Sequence, residues 1–226
     1  LRSNLRRDNL ILLKKDVTCS KRTLEERLAF RIKKLNKTID KYRKDGSVLI
    51  FAQTTAYVDA LYNALSDCYP NEVTRYHARI KPERRKQELL HDFLHGEKKI
   101  MVATSAFGMG IDVSDIELVV HFNAPLSMTD YIQQIGRAGR DGRKAHCVLF
   151  YEQNGDDEGI VHSFIRKAEK SSRKSVNQLK EQWKQVQKFI CSNNCMTCDI
   201  LDYQGQHETK TCKKCTICAQ KRRNSK

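Results

Sequence analysis

Between Leu10 and Tyr151, short apolar runs alternate with amphipathic stretches of helical period, and this alternation limits the fold more than any other feature of the chain. Leu10–Leu13, Ser47–Gln53, Val73–His77, Ile100–Ala103, Leu118–Phe122 and Cys147–Tyr151 read as strands. Leu10–Leu13, Ile100–Ala103 and Cys147–Tyr151 are apolar throughout, as strands covered on both faces are. Thr23 with Glu26 makes a capping box that opens a helix to about Tyr42, with Leu24, Leu28, Ile32, Leu35 and Ile39 on one face. Thr54 or Thr55 caps a second, whose Val58, Leu61, Tyr62 and Leu65 form a core stripe. Pro82 suits the first turn of a third, which runs to about His95 and closes at Gly96. Ser127 with Asp130 opens a fourth, from Met128 to about Ala138. Strand–helix alternation of this kind predicts βαβ units, hence an α/β fold with a mainly parallel sheet and helices on both faces. After Tyr151 the composition turns polar and acidic over Glu152–Glu158, which predicts a domain edge. Helices are expected over 159–170 and 176–190, the second with Val176, Leu179, Trp183, Val186 and Ile190 on one packing face. The expected division is 1–153 and a small helical subdomain over 154–226.

Lys and Arg total 42 against 27 Asp and Glu, a formal charge of +15. Such an excess favours a polyanionic partner, because neutralising phosphates releases their counterions. No stretch approaches the roughly 18 apolar residues of a membrane span, and the opening LRSNLRRDNL lacks the apolar core of a signal peptide. An intracellular protein is expected, in the cytoplasm or nucleoid of a bacterium or the nucleus of a eukaryote, where clustered thiols serve metals more often than disulfides.

The helix expected from Met128 ends in Gln133-Gln-Ile-Gly-Arg-Ala-Gly-Arg-Asp141. Arg137 and Arg140 are three apart, so on a helical or near-helical turn they project the same way. A guanidinium is a permanently charged fork of donors suited to phosphate oxygens. Gly136 and Gly139 remove side chains that would block a large polyanion. Two arginines so presented suit charge developing on a transferred phosphoryl group. A solvated basic helix end beside two turn glycines accounts for the same spacing.

Six of the nine cysteines fall between 191 and 218. Cys212-Lys-Lys-Cys215-Thr-Ile-Cys218 sets three thiols two residues apart each, a spacing that lets sulfurs converge on one tetrahedral ion such as zinc. For the fourth ligand, Cys191, Cys195, Cys198 and His207 compete. Cys68 and Cys147 stand alone and read as buried small apolar residues.

AFGMGID at 106–112 and QQIGRAGRDG at 133–142 resemble motifs V and VI of superfamily 2 helicases, and their wording is closest to the RecQ family of DNA helicases. The likeness runs from Asn9-Leu10 to Cys218 and implies a RecA-like lobe followed by a zinc-binding subdomain. It implies that Gly110, Asp112, Gln133, Arg137 and Arg140 attend ATP, with Arg137 and Arg140 catalytic and Arg140 the finger. It places Gln53, Thr54, His77, Arg79 and Thr104 on the DNA path, although Arg79 stands where the family's Tyr-His-Ala segment usually continues with glycine. Taken alone, His77 reads as a core or surface histidine and Thr54 as a helix cap. The family's offsets select Cys195, eight before Tyr203, to join Cys212, Cys215 and Cys218 on a structural Zn2+, with Cys198 as runner-up.

Neither GxxxxGK[ST] nor a DEAH or DEAD tetrad is present, so no phosphate cradle or magnesium carboxylate is in hand. The expectation is a second lobe that is inactive by itself and completes an ATP·Mg2+ site held mainly by an N-terminal RecA-like lobe. The function implied is a 3′–5′ DNA helicase acting on single strands at duplex junctions. Two rivals are a stand-alone zinc-dependent DNA-binding module and the second lobe of an RNA helicase.

Overall fold

The computed structural model describes residues 5–20, 23–107, 116–152, 156–170 and 173–225. Six strands form one sheet: β1 (Leu10–Asp16), β2 (Ser47–Phe51), β3 (Val73–Tyr76), β4 (Ile100–Ala103), β5 (Ile116–His121) and β6 (Ala145–Tyr151). Their order is β1-β6-β5-β2-β4-β3, and every pairing is parallel. Helices α1 (Leu24–Tyr42), α2 (Thr55–Cys68), α3 (Glu83–Leu94) and α4 (Met128–Ile135) lie among the strands, and α5 (Asp156–Glu169), α6 (Arg173–Cys191), α7 (Met196–Tyr203) and α8 (Thr216–Asn224) follow them.

Side chains of a strand alternate between the two faces of its sheet, and two cores follow from that. Leu49, Phe51, Met101, Ala103, Val119, Cys147 and Leu149 face one way, onto α3, α4 and the C-terminal helices. Val48, Ile50, Ile100, Val102, Leu118, Val120, Val148 and Phe150 face the other, onto α1 and α2. The first core is continuous through Val186 and Phe189 of α6 to Cys195, Met196, Ile200, Cys215 and Ile217 of the cysteine-bearing region. Trp183 packs against this core and against a third cluster of Val161, Ile165 and Val176.

Local chemistry explains the boundaries. The α1 capping box is complete: Glu26 N–H donates to Thr23 Oγ1 and the Glu26 side chain reaches back to the Thr23 N–H. Thr54, not Thr55, caps α2, and Pro82 sits at the cap position of α3 rather than inside its first turn. Strand β1 continues to Asp16, beyond the apolar run, because it is an edge strand whose pairing with β6 is made by backbone alone. Helix α4 stops at Ile135, short of the expected Ala138. Arg137 and Ala138 N–H donate three residues back, to Gln134 and Ile135, which tightens the turn, and Gly139 then takes a φ of +56°. Cys147 is buried as expected, but Cys68 is exposed at the end of α2, where Asn36 Nδ2 lies 3.2 Å from its sulfur. No described helix is long and apolar enough to cross a membrane.

Candidate functional site

Three groups of sequence-singled residues occupy three regions of the lobe. At the carboxyl ends of the strands, Gln53 and Thr54 follow β2, His77 and Arg79 follow β3, and Thr104 follows β4. The chain reverses its direction across the sheet between β2 and β5, and open α/β sheets bind ligands at such a reversal. Here the loops meet: Gln53 N–H donates to Asn123 Oδ1 at 3.3 Å and Gln53 Nε2 to the Ala124 carbonyl at 3.0 Å. Thr54 Oγ1 accepts from Tyr57 N–H at the start of α2. His77 is buried, its Nδ1 accepting from Arg79 N–H at 3.2 Å and its Nε2 3.1 Å from Asp59 Oδ1. The tautomer with the proton on Nε2 satisfies both contacts. Arg79 is exposed beside it, and Thr104 Oγ1 accepts from Ala106 N–H at 3.4 Å.

Beneath this edge lies a charged network that the sequence reading missed. Arg31 of α1 is 1% exposed. Its Nη2 donates to the Phe122 carbonyl, and its guanidinium lies 3.3 Å from Glu152 and 3.4 Å from Asp157. Asp157 also accepts from Asn123 Nδ2 at 3.2 Å, so the ion pairs support the loop that holds Gln53. Burial pushes the Asp157 carboxyl up, and Arg31 opposes that shift. The one signal in the sequence was an arginine beside the α1 apolar stripe.

The second group is the arginine turn after α4. Gly139 N–H donates to the carbonyl of Ile116, and Ala145 N–H to that of Asn9, which fixes the turn at the amino ends of β1, β5 and β6. Arg140 is exposed, with Nε 3.5 Å from the Gly136 carbonyl, and Gln133 is exposed on α4. The Arg137 guanidinium carbon lies 6.0 Å from the ring centroid of Phe107, in the loop leaving β4. The two glycine-bearing motifs, far apart in sequence, therefore touch through Arg137 and Phe107. Gly110 and Asp112 lie outside the described residues.

The third group is metal-ligating in composition. Sulfurs of Cys195, Cys212, Cys215 and Cys218 all lie within 4.8 Å of one another. Cys212 N–H donates to Cys195 Sγ at 3.2 Å and Cys215 N–H to Cys212 Sγ at 3.3 Å. Hydrogen bonds from Cys215, from backbone N–H groups and from Thr197 pull the Cys212 thiol below its usual range. Such donors favour thiolate, the form that binds metal. Cys198, Cys191 and His207 are outside the cluster: Cys198 faces the Lys210 carbonyl, Cys191 is exposed, and His207 pairs with Asp202. Four converging thiols, with no fifth member in the cluster among the described residues, fit a closed, structural zinc site.

Comparison with known proteins agrees with this arrangement. Residues 31–142 match the helicase conserved C-terminal domain. ATP-dependent DNA helicase RecQ of Pasteurella multocida is 34% identical over 176 residues, 78% of this chain and 27% of that protein. RecQ of Bacillus subtilis is 33% identical over 205 residues, 87% of this chain and 33% of that protein. The chain thus spans about a third or less of the relatives it matches. In fold it resembles S. cerevisiae Dbp5 bound to RNA and ADP BeF3, with a TM-score of 0.55 at 24% identity over 70% of this chain and 39% of that one. With its RecA-like parallel sheet, its paired glycine motifs and its four-cysteine cluster, the chain belongs to the RecQ family of superfamily 2 helicases, as the second, C-terminal lobe.

Proposed function

We propose that this lobe is one half of an ATP-driven 3′–5′ DNA helicase motor, in which Arg137 and Arg140 complete a nucleotide site whose phosphate loop and Mg2+ belong to an N-terminal RecA-like lobe. The observation that carries the reading is the contact between Arg137 and Phe107, because it joins the arginine turn to the loop leaving β4. Closing the cleft would bring the guanidinium forks to the phosphates, and the β4 loop would report nucleotide state to the carboxyl edge. There Gln53, Thr54, Arg79 and Thr104 line the path of a single strand, gripped by its backbone. Buried His77 holds the backbone that presents Arg79. Cys195, Cys212, Cys215 and Cys218 hold one structural Zn2+, in a subdomain beginning near residue 154 that packs on the lobe over 1–153. Such a motor works inside the cell.

The test is reconstitution. Mixing this chain with a separately prepared first lobe is expected to give ATP hydrolysis stimulated by DNA more than by RNA. Arg140→Ala should lower turnover on the order of 10³-fold, the scale of a lost arginine finger. Turnover unaffected by Arg140→Ala defeats the finger role, and stimulation by RNA alone defeats the DNA reading.

A further inference from the structure

Just ahead of β1, residues 6–9 run between the cysteine-bearing subdomain and the arginine turn, hydrogen-bonded to both. On one side, Arg6 Nη1 donates to the Lys210 carbonyl at 2.7 Å and pairs with Glu208 at 3.4 Å, and Lys214 Nζ donates to the Asp8 carbonyl. On the other, Arg7 Nη2 donates to the carbonyls of Ala138 and Gly139 at 3.0 and 2.9 Å. Asn9 Nδ2 donates to the carbonyls of Gly139 and Arg143 at 2.8 and 2.9 Å. These carbonyls belong to the turn beyond α4, outside its helical hydrogen bonds, and the Gly139 carbonyl also accepts from Gly142 N–H at 3.1 Å. Arg7 Nε also donates to Asn9 Oδ1 at 3.2 Å, which fixes the amide so that its NH2 faces the turn. The packing leaves no slack: a Cβ on Gly139 would stand 2.5 Å from Asn9 Nδ2 and 2.7 Å from the Arg143 carbonyl, at a φ of +56°.

From this geometry we infer that Arg7 and Asn9 are positioning residues for the arginine turn: they set the backbone from which Arg137 and Arg140 reach the nucleotide. The inference rests on the finger role proposed above. Neither side chain meets ATP. Their four donated bonds clamp Ala138, Gly139 and Arg143, which bracket Arg140 in the chain. A guanidinium displaced by about 1 Å at the moment of phosphoryl transfer loses a large part of its effect. The cysteine subdomain holds the opposite side of the same segment, so the clamp has a fixed base.

The test is made in the full-length enzyme, or in this chain reconstituted with its first lobe, by DNA-stimulated ATP hydrolysis. Asn9→Leu keeps the bulk and removes both donors. It is expected to lower kcat on the order of tenfold with ATP KM and melting temperature unchanged. Arg7→Met should do the same, and it carries the test if Asn9→Leu does not fold. A double variant separates positioning from general loosening. In an Arg140→Lys background, which retains charge and measurable turnover, Asn9→Leu should cost less than it does in the parent, because the two act through one arginine. Unchanged kcat in folded Asn9→Leu and Arg7→Met, or losses that multiply in the double variant, overturns the inference while leaving the finger role intact. An Arg140→Ala enzyme with full turnover removes both.

Discussion

His121 is wholly buried in β5, with Nε2 2.7 Å from Gln134 Oε1 of α4. Burial disfavours the imidazolium and lowers the pKa to about 4 from 6.5, with the Gln134 hydrogen bond acting the other way. The folded protein therefore carries a neutral ring, whereas the unfolded chain takes up a proton below about 6.5. Stability should be fully present above that pH and fall as pH drops toward about 4, by about 3 kcal/mol from this residue. Urea unfolding at neutral pH and near pH 4 measures the loss, and His121→Gln should remove it from the difference. Neither this histidine nor Arg31 was legible as a buried polar group. Their partners, Gln134 for one and Glu152 and Asp157 for the other, come from different elements, and periodicity along a single element carries no record of them. Cys212, Cys215 and Cys218 were legible because their spacing is local and their chemistry narrow, whereas spacing left Cys195 among four candidates and only the family's offsets selected it.

At the level of elements, the capped helices and apolar strands followed the sequence closely, and α7 and α8 did not. Both are short, and α8 reads as a polar, basic segment, TICAQKRRN. Their starts coincide with the cysteine cluster instead: Cys195 occupies the cap position of α7 and Cys215 that of α8, neither making a side-chain cap bond. Tertiary ties complete the docking. Lys14 N–H donates to Thr216 Oγ1 at 2.9 Å, and Lys14 Nζ closes the end of α6 through the carbonyls of Ile190 and Ser192. On the proposed zinc site, two helices that begin at its cysteines should melt with the metal. Elemental analysis is expected to find one zinc per chain. Stripping it with a strong chelator, or Cys215→Ser, should lower helical circular dichroism and cost about 3 kcal/mol or more of stability. Unchanged spectra and unchanged melting after verified loss of metal would remove its structural role.

Over the whole molecule, the charge of +15 is spread across a lobe whose exposed Arg79 stands at the carboxyl edge. Each phosphate contact on a single strand adds about 0.7 to the slope of log affinity against log salt. Arg79→Ala should thus weaken DNA binding alike for all sequences and flatten that slope by about 0.7. A salt titration of fluorescently labelled single strands reads both, and an unaltered slope takes Arg79 off the path. The strand order has a separate consequence for how the lobe is made. Leu10 pairs with Ala145, so β1, the earliest strand of this sheet in the chain, has no partner in the sheet until β6 has been translated. At ordinary elongation rates that wait is on the order of ten seconds. Through it, Leu10 and Leu12 stand open to association with other nascent chains. Arg6, Arg7, Lys14 and Lys15 flank them with positive charge, the kind of residue that opposes aggregation of an exposed apolar strand.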